Sequence, residues 1–297
     1  MIHEGILRYR GARYLWAALI LIAASWALYS TQRGLRPASG DTWQGYTLGT
    51  IGALMILWLA WLGIRKRRYA STLGSVAGWT SAHVYLGVSL IAVATLHCAA
   101  KFGWNVHTLA YVLTCAVVLS GIFGVYAYLN FPRQLSDNRA GGPRSQLFAE
   151  LYALDNEGRD IARRCNTATN AAVKSSIERT AIGGGVLDQL LGRDHSLFIR
   201  DDAAGQAKNG GLADNTDQQA VIKFVADRVP RADKRAEAAN LQSLVLILCR
   251  RQAVLRRVRR DIRLHAWLKV WLYLHVPLTI ALIVALIVHI LSTFFYW

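Results

Sequence analysis

Residues 83–97 read HVYLGVSLIAVATLH and residues 275–289 read HVPLTIALIVALIVH. Each stretch begins and ends on histidine, with 14 steps between the two, and neither holds a charged residue inside. A helix turns about 100° and rises about 1.5 Å per residue, so 14 steps return to within about 40° of the same face and climb about 21 Å. Each stretch therefore carries two imidazoles in line on one helix, one toward each edge of a hydrocarbon core about 30 Å thick. Whether the chain crosses a membrane is thus the first question.

Five runs are long and apolar enough to do so: Tyr14 to Ser30, Tyr46 to Ile64, Trp79 to Ala100, Thr108 to Phe131 and Trp267 to Trp297. They are embedded in a chain of 297 residues that is 54% hydrophobic yet carries a formal charge of +16. That mixture is too apolar for an ordinary soluble domain and too charged for a wholly embedded one. Ten Trp and twelve Tyr suit interfacial belts better than a nucleic-acid surface, so no nucleic-acid partner is expected. Arg8, Arg10, Arg13 and the run Arg65, Lys66, Arg67, Arg68 lie on one side of the predicted spans, against Arg33, Arg36 and Lys101 on the other. The positive-inside bias then makes the first side cytoplasmic, with the N-terminus inside and the C-terminus outside a bacterial-type inner membrane. No small-residue cleavage site follows Met1 to Arg13, so the first helix is expected to be retained.

The expected division is residues 1–132 for helices one to four, 133–264 for a basic cytoplasmic helical insertion, and 265–297 for helix five. The stretch from Arg133 to Leu264 holds 16 of the 18 acidic residues, which marks it as the water-soluble part. Leu147, Leu151, Leu154 and Ile161 recur at helical spacing, and Leu241 to Leu264 carries the same period straight into the fifth span. Between them, Gly183 to Asp217 is rich in Gly, Asp and Asn and reads as loops around one short strand at Ser196 to Ile199. The helix entering the membrane bears Arg250, Arg251, Arg256, Arg257, Arg259, Arg260 and Arg263, a density suited to anionic lipids or an acidic partner, or to a solvated flank. Cys98, Cys115, Cys165 and Cys249 form no C-x-x-C pair and no zinc spacing.

Topology adds to the histidine spacing. The third and fifth helices both start on the inner side, so His83 and His275 share one depth and His97 and His289 the other. Two facing imidazoles at one depth suit the axial positions of a haem iron, and two such layers make two stacked haems. Histidines also serve as hydrogen-bonding glue between membrane helices. Metal pumps and proton relays recruit Asp, Glu or Cys beside them, and no Asp or Glu lies in the five spans.

On these residues the chain resembles the dihaem cytochrome b superfamily, in which two helices each carry two histidines 13 or 14 residues apart. The resemblance covers the third to fifth helices and implies an all-α membrane protein with a dihaem helical bundle and two haem b groups. It implies His83 and His275 on the inner iron, and His97 and His289 on the outer iron. Gly87, one turn past His83, and Gly121 and Gly124 on the fourth helix would admit a porphyrin face. Arg263, Lys269 or Arg65 inside, and Lys101 or His107 outside, would meet propionates. Pro277 frees the carbonyl of Tyr273 and is placed to kink the fifth helix. Ile182-Gly183-Gly184-Gly185 lacks the spacing and the preceding strand of a dinucleotide loop. The proline–glutamate–tryptophan quinol motif of respiratory cytochrome b is also missing.

The resemblance therefore implies an electron-transfer subunit of an oxidoreductase complex more than a self-sufficient enzyme. A cytoplasmic iron–sulfur or flavin protein would serve on one side, and a periplasmic cytochrome c or membrane quinone on the other. Two other classes stay open. One is a non-haem anchor or sensor presenting a cytoplasmic interaction domain, which makes the spacing an accident; the other is a transporter, which favours broken helices in corresponding halves.

Overall fold

The structure, a computed structural model, describes residues 5–32, 39–67, 74–200 and 211–295. In chain order they form α1 (Tyr9–Ser30), α2 (Trp43–Ala60), α3 (Leu62–Arg67), α4 (Val76–Cys98), α5 (Val106–Asn138), α6 (Arg144–Ala162), α7 (Thr167–Glu178), α8 (Val186–Leu191), β1 (Leu197–Ile199), β2 (Leu212–Asp214), α9 (Gln219–Ala226) and α10 (Arg235–Phe295). Five stretches are helices long and apolar enough to cross a membrane: Ile6–Ser30, Trp43–Arg67, Val76–Cys98, Val106–Asn138 and Arg235–Phe295. Each contains most of one of the five expected spans, and the last extends far beyond its span, back to Arg235. Arg33, Arg36 and Arg68 of the charge argument, and Tyr296 and Trp297 at the end of the expected fifth span, lie outside the described residues.

The helix ends follow from local chemistry. Thr42 caps α2 by accepting the Gly45 N–H at 3.1 Å, and Ser75 caps α4 by accepting the Gly78 N–H at 3.1 Å; each hydroxyl satisfies one donor that the first turn leaves without a helical partner. At its far end α4 stops where Ala99 and Ala100 enter the left-handed region, with φ of 49° and 56°. Proline in a helix interior lacks the N–H that bonds back one turn, and the fourth span was expected to end at Phe131. Instead α5 passes through Pro132 to Asn138. It ends where Gly141, at φ 78°, returns its N–H to Ser136 O at 3.0 Å. Pro277 is likewise absorbed within α10.

The chain divides into two compact units. The first comprises Met1–Tyr128 and Val270–Trp297. In it α4 packs against α1 and α2, and a core of Ile56 and Leu59 from α2, Leu90 from α4, and Leu282 and Leu286 from α10 is joined by Leu113 and Val117 of α5. Leu282 and Leu286 fall between His275 and His289 in sequence, so aliphatic packing fills the level between the two histidines of α10. Leu54, Leu119, Ile122, Ile280 and Ile287 face outward, an apolar exterior that suits hydrocarbon.

The second unit is Leu129–Lys269. Here α7, α9 and the start of α10 enclose Val173, Phe198, Val221, Phe224, Leu244 and Leu248. A second cluster joins Leu147, Leu151 and Leu154 of α6 to Val254, Leu255 and Val258 of α10. The loop-rich stretch contains more order than its composition suggested. β1 pairs antiparallel with β2, Leu197 opposite Asp214 and Ile199 opposite Leu212, and α8 precedes them.

The arginine-rich stretch of α10 is largely engaged within this unit. Arg251, 1% exposed, donates to Asp155 Oδ1 at 2.5 Å, Gln218 Oε1 at 2.7 Å and Thr180 Oγ1 at 2.9 Å. Arg259 pairs with Asp194 at 2.7 Å, Arg257 with Glu150 at 3.3 Å, and Arg256 with Asp217. Buried charges persist only when paired in this way. Arg250, Arg260 and Arg263 remain exposed.

Candidate functional site

Four half-buried imidazoles of the first unit stand on two helices: His83 and His97 on α4, His275 and His289 on α10. The rings of His97 and His289 lie 5.9 Å apart between centroids, nearly perpendicular at 81°. The structure thus brings His97 and His289 together, one of the two pairs that the 14-step spacing pointed to.

The ring nitrogens carry more information than the positions do. His83 Nδ1 lies 3.1 Å from Leu59 O, and His97 Nδ1 lies 2.8 Å from Gly45 O. A carbonyl only accepts, so in both rings the proton is on Nδ1 and Nε2 keeps a lone pair. Leu59 sits in the last turn of α2, where the helix passes into α3 and its carbonyl can accept from a side chain. His275 Nδ1 lies 2.6 Å from Ser120 Oγ, which also lies 2.8 Å from Val117 O. With the hydroxyl proton on Val117 O, Ser120 accepts from His275 and the same tautomer follows. His289 Nδ1 meets His107 Nδ1 at 2.5 Å. Among the described residues, the Nε2 atoms of all four make no hydrogen bond.

Close helix approach makes this arrangement possible. A Cβ on Gly49 would sit 2.7 Å from His97 Cε1, and one on Gly121 would sit 3.7 Å from His275 Cε1. A Cβ on Gly124 would overlap the Trp271 indole, which donates its Nε1–H to Ser120 O at 2.8 Å and lies 5.6 Å from the His275 ring. Gly87 differs from these, since a Cβ there would meet nothing within 4 Å, which leaves open space one turn from His83. An open apolar groove of about 530 Å³, lined by Ile51, Leu54, Met55, Trp58, Leu59 and Leu86, lies on the outer face beside the turn that holds His83.

These features bear on whether the residues fit a haem. A metal ligand histidine presents one nitrogen to the metal and anchors the other on a neighbouring group, which sets its tautomer and orientation. With metal–nitrogen bonds of about 2 Å, two axial imidazoles place their centroids about 6 Å apart, and the His97–His289 pair is at that separation. No group of three or more His, Cys, Asp or Glu side chains converges to hold a metal ion among the described residues, and axial ligation of a haem needs only two. The donor set, two imidazoles from facing helices with Nε2 unengaged, suits the group, and the His97–His289 separation is compatible with it.

The residues expected at propionates are placed as follows. Arg65 donates to Gly74 O at 2.6 Å, Lys101 is exposed, and His107 is engaged with His289. Arg263, beside Gly192, and Lys269 belong to the second unit. Sequence reading missed Ser120, Trp271, Gly45 and Gly49, and gave His107 another role. The glycines did leave a signal, since Gly45, Gly49 and Gly52 recur on one face of α2, the small-residue pattern of close membrane packing. The accepting carbonyls of Leu59 and Gly45 left none. Comparison of the chain with protein-family models, with curated proteins and with solved structures finds no match.

Proposed function

We propose that this chain is a transmembrane electron conduit, binding two b-type haems between α4 and α10. His83 and His275 would hold one iron, and His97 and His289 the other. The carrying observation is the nitrogen pattern: each Nδ1 is engaged by a protein group and each Nε2 is left without one. Histidines used only to join helices would spend both nitrogens on helix partners, because an unsatisfied polar group in hydrocarbon is costly.

When bound, haem supplies one-electron chemistry at an iron whose two axial positions are filled, which suits electron transfer over oxygen activation. The protein's part is to orient the imidazoles, to close the level between them with Leu90, Leu282 and Leu286, and to exclude water with the surrounding aliphatic core. In this reading the basic side is cytoplasmic in a bacterial-type inner membrane, and the second unit lies there as a dock for an iron–sulfur or flavin protein. A periplasmic cytochrome c or membrane quinone completes the circuit, and the chain works as a subunit of a respiratory oxidoreductase of the dihaem cytochrome b kind. Arg250 and Arg263, exposed on α10, are placed to meet anionic lipid.

The test is the dithionite-reduced minus oxidised visible spectrum of the purified protein in detergent, with haem quantified as the pyridine haemochrome. Two b haems per chain are expected, with His83→Ala and His289→Ala each removing a different one. A protein that stays colourless after haem reconstitution overturns the proposal.

A further inference from the structure

The two helices that carry the histidines are served differently. Those of α4 are held by main-chain carbonyls of α2, at Leu59 and Gly45, which no side-chain substitution removes. Those of α10 are held by side chains of α5: Ser120 Oγ at 2.6 Å from His275 Nδ1, and His107 Nδ1 at 2.5 Å from His289 Nδ1. We propose that Ser120 and His107 are positioning residues, each setting the tautomer and ring orientation of one α10 ligand. This assignment rests on the haem reading above.

The argument for Ser120 is one of proton count. A hydroxyl has a single proton, and Ser120 Oγ has two acceptors within reach, Val117 O at 2.8 Å and His275 Nδ1 at 2.6 Å. Ligation through Nε2 requires the His275 proton on Nδ1, and Ser120 meets that state by giving its own proton to Val117 O and a lone pair to His275. Trp271 clamps the same point by bonding Ser120 O.

His107 settles the fourth ligand. Two Nδ1 atoms in contact share one proton, so one ring donates and the other accepts. When His289 ligates through Nε2 its proton must be on Nδ1, which makes His289 the donor. His107 is then the acceptor and carries its own proton on Nε2, at the exposed edge of the bundle. The His107 ring also lies against that of His289, 4.5 Å between centroids and 85° apart, so contact as well as hydrogen bonding fixes the ligand ring. Replacing such outer partners of metal ligands typically costs about 10–100-fold in metal affinity.

The experiment compares wild type with Ser120→Ala and His107→Ala in the full-length protein, by redox titration of both haems and by electron paramagnetic resonance of the ferric state. The expected result is selective. Ser120→Ala changes the signal and potential of the His83–His275 haem alone, and His107→Ala those of the His97–His289 haem alone, by about 59 mV or more, a tenfold change in ferric-to-ferrous ratio. Ser120→Thr, which keeps the accepting oxygen, should restore the wild-type values, as should His107→Asn in large part. Two haems with potentials and spectra unchanged in both alanine variants overturn the assignment while leaving the haem reading intact. A wild type without haem overturns both. Should either alanine variant lose both signals together, its conservative counterpart decides: recovery of the one expected signal sustains the assignment, and continued loss overturns it.

Discussion

A histidine in a membrane helix is informative through its nitrogens more than through its presence. Nδ1 of His97 is taken by Gly45 O, and the ring lies flat enough against α2 that position 49 accepts only glycine. A Gly49→Val substitution would place its Cβ within 2.7 Å of Cε1 and force the imidazole aside, at a cost of about 1–3 kcal/mol for overpacking. We expect loss or distortion of one low-spin haem signal, with the other kept, and a lower melting temperature. Gly52→Ala is the control. Its Cβ meets the Leu90 and Val93 methyls at 3.9 Å, an ordinary contact, and both signals should persist; equal damage from the two variants would refute the steric account. None of this was readable at the residue itself. The histidines were legible because a polar ring in an apolar run stands out, whereas the atoms that orient them are carbonyls and a serine that any helix contains.

At the scale of elements, the helices carry two kinds of ion pair. The exposed i,i+4 pair Arg133–Asp137 on α5, with side chains 87% and 73% exposed, is of the sort worth about 0–1 kcal/mol. The Arg251–Asp155 pair between α10 and α6 is of the other sort, the arginine side chain being 1% exposed. Asp155→Ala leaves that guanidinium buried without its carboxylate, and breaking such a pair costs about 3–5 kcal/mol. Thermal unfolding and hydrogen exchange in α6 and α7 should show the loss, while Arg133→Ala should leave both within error; similar effects from the two would mean that solvent reaches Arg251. The helical period of Leu241 to Leu264 was plain in the sequence. That its arginines turn toward carboxylates was not, because Asp155, Asp194 and Asp217 are distant in sequence and the seven arginines look alike until the fold assigns each a face.

On the scale of the whole molecule, five helices able to cross a membrane are an odd number, so the two termini belong on opposite sides if all five cross. The orientation proposed above, from the positive-inside bias, has the second unit in the cytoplasm. Cys249, exposed in that unit, reports its side directly. An impermeant maleimide should label it in inside-out vesicles and not in right-side-out vesicles or intact spheroplasts. Labelling in the opposite sense would invert the proposed topology, and with it the choice of partners for each haem. Cys165 in the same unit should react more slowly, because burial, reinforced by nearby Glu237, holds its thiol above the ordinary range and the thiolate is the reactive form.

The sequence by itself determined the number and place of the membrane-length helices, because hydrocarbon tolerates few alternatives to a run of about 20 apolar helical residues. It also put two histidines in line on each of two helices, because helical geometry converts 14 steps into nearly one face and two depths. Only the tertiary structure decided what grips each imidazole and which arginines remain free for other partners. It also decided that Pro132 and Pro277 stay inside helices and that β2 joins β1. Those outcomes depend on main-chain atoms, which every residue shares, and on contacts between residues far apart in the chain, which no local pattern encodes.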